Sequence, residues 1–195
     1  ARPIELGFDL VLHSATKYLN GHSDVVAGAM VGSHAVIEAA RHKLAHLGAC
    51  LDTHACFLLH RGLKTLGVRV RRQNESALAL ARWFEERDGV VRVHYPGLSS
   101  HRDHARARAL LAGFGGMLSF ELVGGADAAA RFLELVELAV SAPSLGGPET
   151  LVTRPCETTH KGMSPQARRD AGIDDGLIRI SVGLEDPDDL VADFE

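Results

Sequence analysis

The chain has 195 residues, 46% of them hydrophobic and 24% charged, with a formal net charge of −4 at pH 7. That composition is globular, and the length buries a sizeable core in one domain or in parts of two. The charge balance gives no reason to expect a nucleic-acid partner, no apolar run is long enough to span a bilayer, and the opening Ala1-Arg2-Pro3-Ile4 has no signal-peptide pattern.

The first element is a short apolar run, Leu10-Val11-Leu12, which reads as a buried strand. It leads into His13-Ser14-Ala15-Thr16-Lys17-Tyr18-Leu19-Asn20-Gly21-His22-Ser23-Asp24, and a second apolar run follows at 25–31. Lys17 therefore sits in a strand-exit loop with hydroxyls at Ser14 and Thr16. Open α/β sheets place ligands at such exits. A lysine amine there can form a Schiff base with a carbonyl, and the two hydroxyls suit an anion lying beside it. Pyridoxal phosphate carries both groups.

Helical periodicity follows over 34–47, with Ser33 as its N-cap and Gly48 as its stop. A loop at 48–52 leads to a further turn or two of helix over 53–59. Residues 61–88 read as one long helical region, bent near Gly62 and Gly67, and Arg69, Arg71 and Arg72 form a basic cluster on its solvated or subunit-facing side. Beyond it come a strand at 90–95 stopped by Pro96-Gly97, a polar helix at 101–111 and a strand at 117–123. An amphipathic helix at 126–138 has Phe132, Leu135 and Val136 inward, and a strand at 177–182 precedes a helix at 186–194. Gly113-Phe114-Gly115-Gly116 is a structural turn, since it precedes a strand and lacks the G-x-G-x-x-G spacing. These elements suggest a small α+β layer domain in the second part of the chain.

Three cysteines, Cys50, Cys56 and Cys156, form no C-x-x-C pair and fit a reducing cytoplasm. The pairs His42 with His46 and His101 with His104 have ligand-like spacing but no third ligand nearby, so no metal is expected.

The run S-A-T-K-Y-L-N-G-H-S-D from Ser14 resembles the lysine segment of the Cys/Met-metabolism family of pyridoxal-phosphate-dependent enzymes, which includes cystathionine γ-synthases, cystathionine γ-lyases and methionine γ-lyases. The resemblance continues through L-G-V-R-V-R-R-Q-N at 66–74, Tyr95-Pro96-Gly97-Leu98, residues 113–120 and L-I-R-I-S-V-G-L-E-D at 177–186. It implies an α/β fold of the fold-type-I pyridoxal-phosphate-dependent transferase kind. Residues 1–65 would end the large cofactor-binding domain, and 66–195 would be the small C-terminal α+β domain. It implies that Lys17 carries pyridoxal 5′-phosphate, that Ser14 and Thr16 hold its phosphate, and that Arg179, supported by Ser144 of A-P-S-L-G-G, binds the carboxylate of an amino-acid substrate. An arginine fork matches a carboxylate in a way lysine cannot.

The implied activity is trans-sulfuration on a sulfur amino acid or O-acylhomoserine. A-P-S-L-G-G and T-R-P favour a γ-synthase or γ-lyase over a methionine γ-lyase. An aminotransferase on the same fold and a non-catalytic, partner-binding segment are the alternatives. The family pattern also implies a homotetramer built as a dimer of dimers. The family's aspartate at the pyridine nitrogen, its phosphate-loop glycine and its stacking aromatic precede the lysine by more than the sixteen residues before Lys17. The chain is therefore expected to be the C-terminal half of such an enzyme.

Overall fold

The computed structural model describes residues 2–48 and 50–195. Residue 49, in the loop expected at 48–52, and residue 1 lie outside the described residues. The chain divides into two compact units, Ala1–Gly67 and Val68–Glu195.

In the first unit a 3₁₀ turn, Pro3–Leu6, precedes β1 (Leu10–Ser14) and a π-turn at Ala15–Leu19. β2 (Gly28–Gly32) returns antiparallel to β1, from Leu10 opposite Gly32 to Ser14 opposite Gly28. The loop that bears Lys17 is thus the connection between two paired strands. β1 is less buried than expected: Leu10 and Val11 are partly buried, while Leu12, at 69%, and the two residues after it are exposed.

The helix α1 (His34–Leu47) has the expected bounds: the Ser33 hydroxyl accepts from the Val36 N–H at 3.4 Å, and Gly48 closes it with φ +74°. Here glycine matters, since that left-handed conformation is strained for other residues. The next helix, α2 (Thr53–Leu63), is longer than expected. One Asp52 carboxylate oxygen accepts from the His54 and Ala55 N–H groups at 2.9 and 3.0 Å, which fixes its start. The expected continuous helix over 61–88 is broken at Lys64 and Thr65. Their N–H groups donate to Arg61 and Gly62, tightening the turn to i→i+3 bonds, and α3 (Leu66–Glu85) starts afresh.

The second unit is built on a five-stranded sheet with spatial order β3-β4-β7-β6-β5. These strands are β3 (Val90–His94), β4 (Met117–Leu122), β5 (Val140–Ser141), β6 (Leu151–Thr153) and β7 (Leu177–Ser181). β5 and β6 are parallel, and the other neighbours are antiparallel. α3 contributes Ala77, Leu80, Ala81 and Phe84 to a core shared with Phe120 of β4 and with Ile178 and Ile180 of β7. Phe132 of α5 (Gly125–Leu135) and Phe194 of α7 (Pro187–Phe194) close it, with ring centroids 5.4 Å from Phe120 and 5.7 Å from Phe84 respectively. Each fully buried side chain of this size stabilises the fold by about 1.5–3 kcal/mol.

Two shorter helices, α4 (His104–Leu110) and α6 (Pro165–Asp170), complete the unit. α4 starts later than expected because successive i→i+3 turns, His101 to Leu98 and His104 to His101, occupy the preceding residues. α5 ends at Leu135, which is 69% exposed instead of inward. The reason lies in α7. The Asp193 carboxylate accepts from the N–H groups of Glu137, Leu138 and Ala139 at 2.7, 2.8 and 2.9 Å, which pulls the chain out of helix. Asp193→Ala is expected to lower stability by roughly 2–3 kcal/mol, as loss of charge-assisted bonds does. Asp193→Asn, which keeps one acceptor, should lose less. Urea unfolding midpoints of the two variants check this.

Candidate active site

The loop after β1 is held mainly by its own backbone. The Thr16 N–H donates to the Ala27 carbonyl at 3.1 Å, Asn20 N–H to Ala15 at 3.0 Å and Gly21 N–H to Lys17 at 2.8 Å. Lys17 has φ −90° and ψ −129°, outside helical values, in the middle of the π-turn. Such turns interrupt regular structure and recur at functional sites. Asn20 is 1% exposed and donates through Nδ2 to Asp24 at 2.7 Å, while its carbonyl meets the His22 ring at 2.8 Å. Against that same Asn20 carbonyl lies Gly62 of α2, where a Cβ would come well inside van der Waals contact. A glycine is therefore required for α2 to back the loop this closely.

Ser14 is exposed and caps nothing. The Thr16 hydroxyl accepts from the Ala27 N–H at 2.9 Å and donates to the Ala27 carbonyl at 3.2 Å. Rotation of that O–H alone, keeping the stronger bond from Ala27, would turn its hydrogen toward an anion. Ser14, Thr16 and Lys17 are thus brought together on one loop of the first unit.

Arg179 and Ser144 are brought together in the second unit. On β7 the side chains alternate: Ile178 and Ile180 are fully buried in the core, so Arg179 stands on the opposite face. Its strand neighbours there are Ser119 of β4 and Thr153 of β6. Arg179 Nη2 donates to the Ser144 carbonyl at 3.0 Å, and its Nε is buried with no partner. Burial holds this guanidinium below the usual arginine value.

The acidic residues close to it in sequence are committed elsewhere. The Glu185 carboxylate accepts from Thr150, at 2.6 Å from its N–H and 2.7 Å from its hydroxyl. Asp186 caps α7 through the Asp188 N–H and lies 3.6 Å from Arg72. Among the described residues no acidic side chain pairs with Arg179. Arg179 is a half-buried cation whose counter-charge is not supplied by its neighbours.

The basic cluster on α3 is not uniformly solvated. Arg69 is 5% exposed, and its guanidinium too is held below the usual value by burial. The His42 and His46 rings lie tilted against each other on α1, with centroids 4.5 Å apart, and the His104 ring meets the Pro96 carbonyl at 2.8 Å. No group of three metal-ligating side chains occurs among the described residues. The Gly113–Gly116 turn is structural: the Gly115 N–H donates to Asn74 at 2.7 Å and its carbonyl accepts from the Tyr95 hydroxyl at 2.8 Å.

Sequence reasoning passed over Gln73. It is fully buried on α3, and its Nε2 donates at 2.8 Å to the carbonyl of Gly147, three residues after Ser144. The signal was present: Gln73 falls in the same i, i+3, i+4, i+7 stripe as Ser76, Ala77 and Leu80, where an amide stands out.

Comparison with solved structures gives the class. The cystathionine gamma synthase of Xanthomonas oryzae pv. oryzae, in complex with aminoacrylate and cysteine, matches with a TM-score of 0.94 and 44% identity, over 99% of this chain and 50% of that one. The fold is accordingly the fold-type-I pyridoxal-phosphate-dependent transferase fold. A family model, Cys/Met metabolism PLP-dependent enzyme, matches residues 1–195, and the chain belongs to that family, whose cofactor is pyridoxal phosphate. It is 46% identical to the L-methionine gamma-lyase of Pseudomonas putida, over 100% of this chain and 49% of that protein. Against the cystathionine beta-lyase of Coxiella burnetii it is 45% identical, over 100% of this chain and 51% of the relative. The chain thus spans about half the length of the curated relatives it matches. No helix among the described residues is long and apolar enough to cross a membrane.

Proposed function

We propose that the protein carrying this chain is a pyridoxal-phosphate-dependent trans-sulfuration enzyme of the cystathionine γ-synthase or γ-lyase type. It would eliminate or replace the side-chain substituent of a sulfur amino acid or an O-acylhomoserine. The observation that carries the reading is Arg179: a half-buried guanidinium, steadied by the Ser144 carbonyl and left without a carboxylate of its own, in a chain of this family. A desolvated cation attracts an anion more strongly than a solvated one does. An amino-acid substrate brings that anion.

The donor set of the first unit fits the cofactor. One amine suits an aldehyde, and the hydroxyls of Ser14 and Thr16, three and one residues before it, suit a phosphate. When bound, pyridoxal phosphate supplies an electron sink for the pair left on the substrate α-carbon. The chain's own residues do the rest. Ser14 and Thr16 fix the phosphate end by donating to its oxygens. Arg179 holds the substrate carboxylate. The Lys17 amine would serve as the base that takes the α-proton and, once protonated, as the acid that returns it.

We further propose that the enzyme works as a homo-oligomer in the cytoplasm. The family resemblance supports the oligomer, and three free cysteines suit a reducing compartment.

Product analysis of the full natural polypeptide, loaded with cofactor, tests the activity. With cystathionine, or with an O-acylhomoserine plus cysteine, the expected products are those of γ-elimination or γ-replacement. A keto acid that retains the whole side chain would mark transamination and overturn the reading.

A further inference from the structure

We propose that Gln73 is a positioning residue for the carboxylate site: it fixes the loop over 143–147 so that the Ser144 carbonyl holds the Arg179 guanidinium in its binding orientation. The proposal rests on the reading of Arg179 given above. Gln73 itself is distant in sequence, and its hydrogen bond to Gly147 joins residues 74 positions apart.

The loop is fastened at two consecutive buried residues. From α3, Gln73 Nε2 donates to the Gly147 carbonyl at 2.8 Å; from β7, the Ser181 hydroxyl accepts from the Gly146 N–H at 2.9 Å. Gly146 and Gly147 are both buried, whereas Ser144 is exposed. Ser144 has φ +101°, a value that side-chain-bearing residues rarely adopt and that persists only where the surroundings enforce it. Its carbonyl then points at Arg179 Nη2, 3.0 Å away. Ser181 lies on the same strand as Arg179 and moves with it. Gln73 comes from a different element and therefore sets where the loop sits relative to β7.

A packing role does not account for this glutamine. It is fully buried on α3, where Ser76, Ala77 and Leu80 follow it on the same stripe and are small or apolar, and its Oε1 has no partner. A buried amide satisfied on one side is a poor way to fill space, since methionine would fill it without an orphaned oxygen. What methionine cannot supply is the N–H that holds Gly147. Loosening that point lets Ser144 leave its enforced conformation and lets the guanidinium turn, and a bidentate carboxylate contact depends on the plane of the fork.

The test uses the full natural polypeptide with cofactor bound, comparing wild type, Gln73→Met and Arg179→Lys. Gln73→Met keeps the side-chain volume, removes the donor and exchanges the orphaned Oε1 for an orphaned Gly147 carbonyl, so the melting temperature should change little. Its KM for the amino-acid substrate is expected to rise about tenfold, as loss of one well-placed hydrogen bond does, with kcat and the cofactor absorbance nearly unchanged. Independently of activity, amide hydrogen exchange over 144–147 should quicken roughly tenfold or more in the substrate-free protein. Gln73→Glu, of the same shape but with an acceptor facing Gly147, replaces it should Gln73→Met not fold. Unchanged exchange in the loop overturns the proposal. Faster exchange with an unchanged KM, while Arg179→Lys raises KM, also overturns it and leaves the carboxylate reading standing. An unchanged KM in both variants shows instead that the carboxylate reading has failed, and the positioning role falls with it.

Discussion

Replacing Lys17 with alanine in the full natural polypeptide is expected to abolish borohydride fixation of pyridoxal phosphate and to remove turnover. The size of the effect follows from what one amine does. Loss of a positioned general acid–base alone lowers a rate about 10²–10⁴-fold, and here the covalent attachment to the cofactor goes with it. Lys17→Arg is the sharper variant. Guanidinium is a cation that cannot be deprotonated in a protein, so it neither attaches to an aldehyde nor takes a proton. If charge were all that mattered, arginine would rescue; the expected result is that it does not.

The turn around Lys17 is held by backbone bonds that the side chain does not make, Thr16 to Ala27 and Asn20 to Ala15, and it is backed by Gly62. These backbone bonds remain in both variants, so both are expected to fold, which melting curves check. Peptide mapping of the reduced wild type should place the label on the peptide containing Lys17. A label on Lys43, Lys64 or Lys161 would overturn the assignment.

How far such residues can be read from the sequence depends on the range of the forces that place them. α1 was legible to its ends because everything that bounds it is local: a serine cap, a 3.6-residue period and a glycine in the left-handed conformation. β7 was legible for the same reason, with Ile178 and Ile180 on either side of Arg179. β5 and β6, of two and three residues, carry no readable period and are strands because β7 offers β6 an edge to pair with. The break between α2 and α3 and the early end of α5 were misread. The first turns on i→i+3 bonds, the second on a carboxylate 54 or more residues away.

The site divides the same way. Ser14, Thr16 and Lys17 stand together in the sequence and attract notice as a local cluster, which the resemblance then names. Ser144 does not announce itself, because what distinguishes it is a backbone angle and the direction of its carbonyl. Gln73 was visible as a polar residue on a buried stripe, but its partner was not, since periodicity says which face is buried and never against what.

Arg179→Lys is expected to lower kcat/KM for the amino-acid substrate roughly ten- to a hundredfold, almost entirely through KM, with the cofactor spectrum intact. A hydrogen bond to a charged group contributes about 1.5–3 kcal/mol, and 1.4 kcal/mol is a factor of ten. Lysine keeps the charge but can offer only a point where arginine offers a fork, so one of two parallel bonds to the carboxylate is lost. The rival account makes Arg179 a structural ion-pair residue, and the structure weighs against it: Glu185 is held by Thr150, and Asp186 caps α7 and faces Arg72. With no native ion pair to break, lysine should be tolerated by the fold. Burial already disfavours the charged arginine, so shortening the group does not remove a stabilising charge interaction from the folded protein. The melting temperature is thus expected to stay near that of the wild type while KM rises. A fall in melting temperature with KM unmoved would give the position to structure and take it from the substrate.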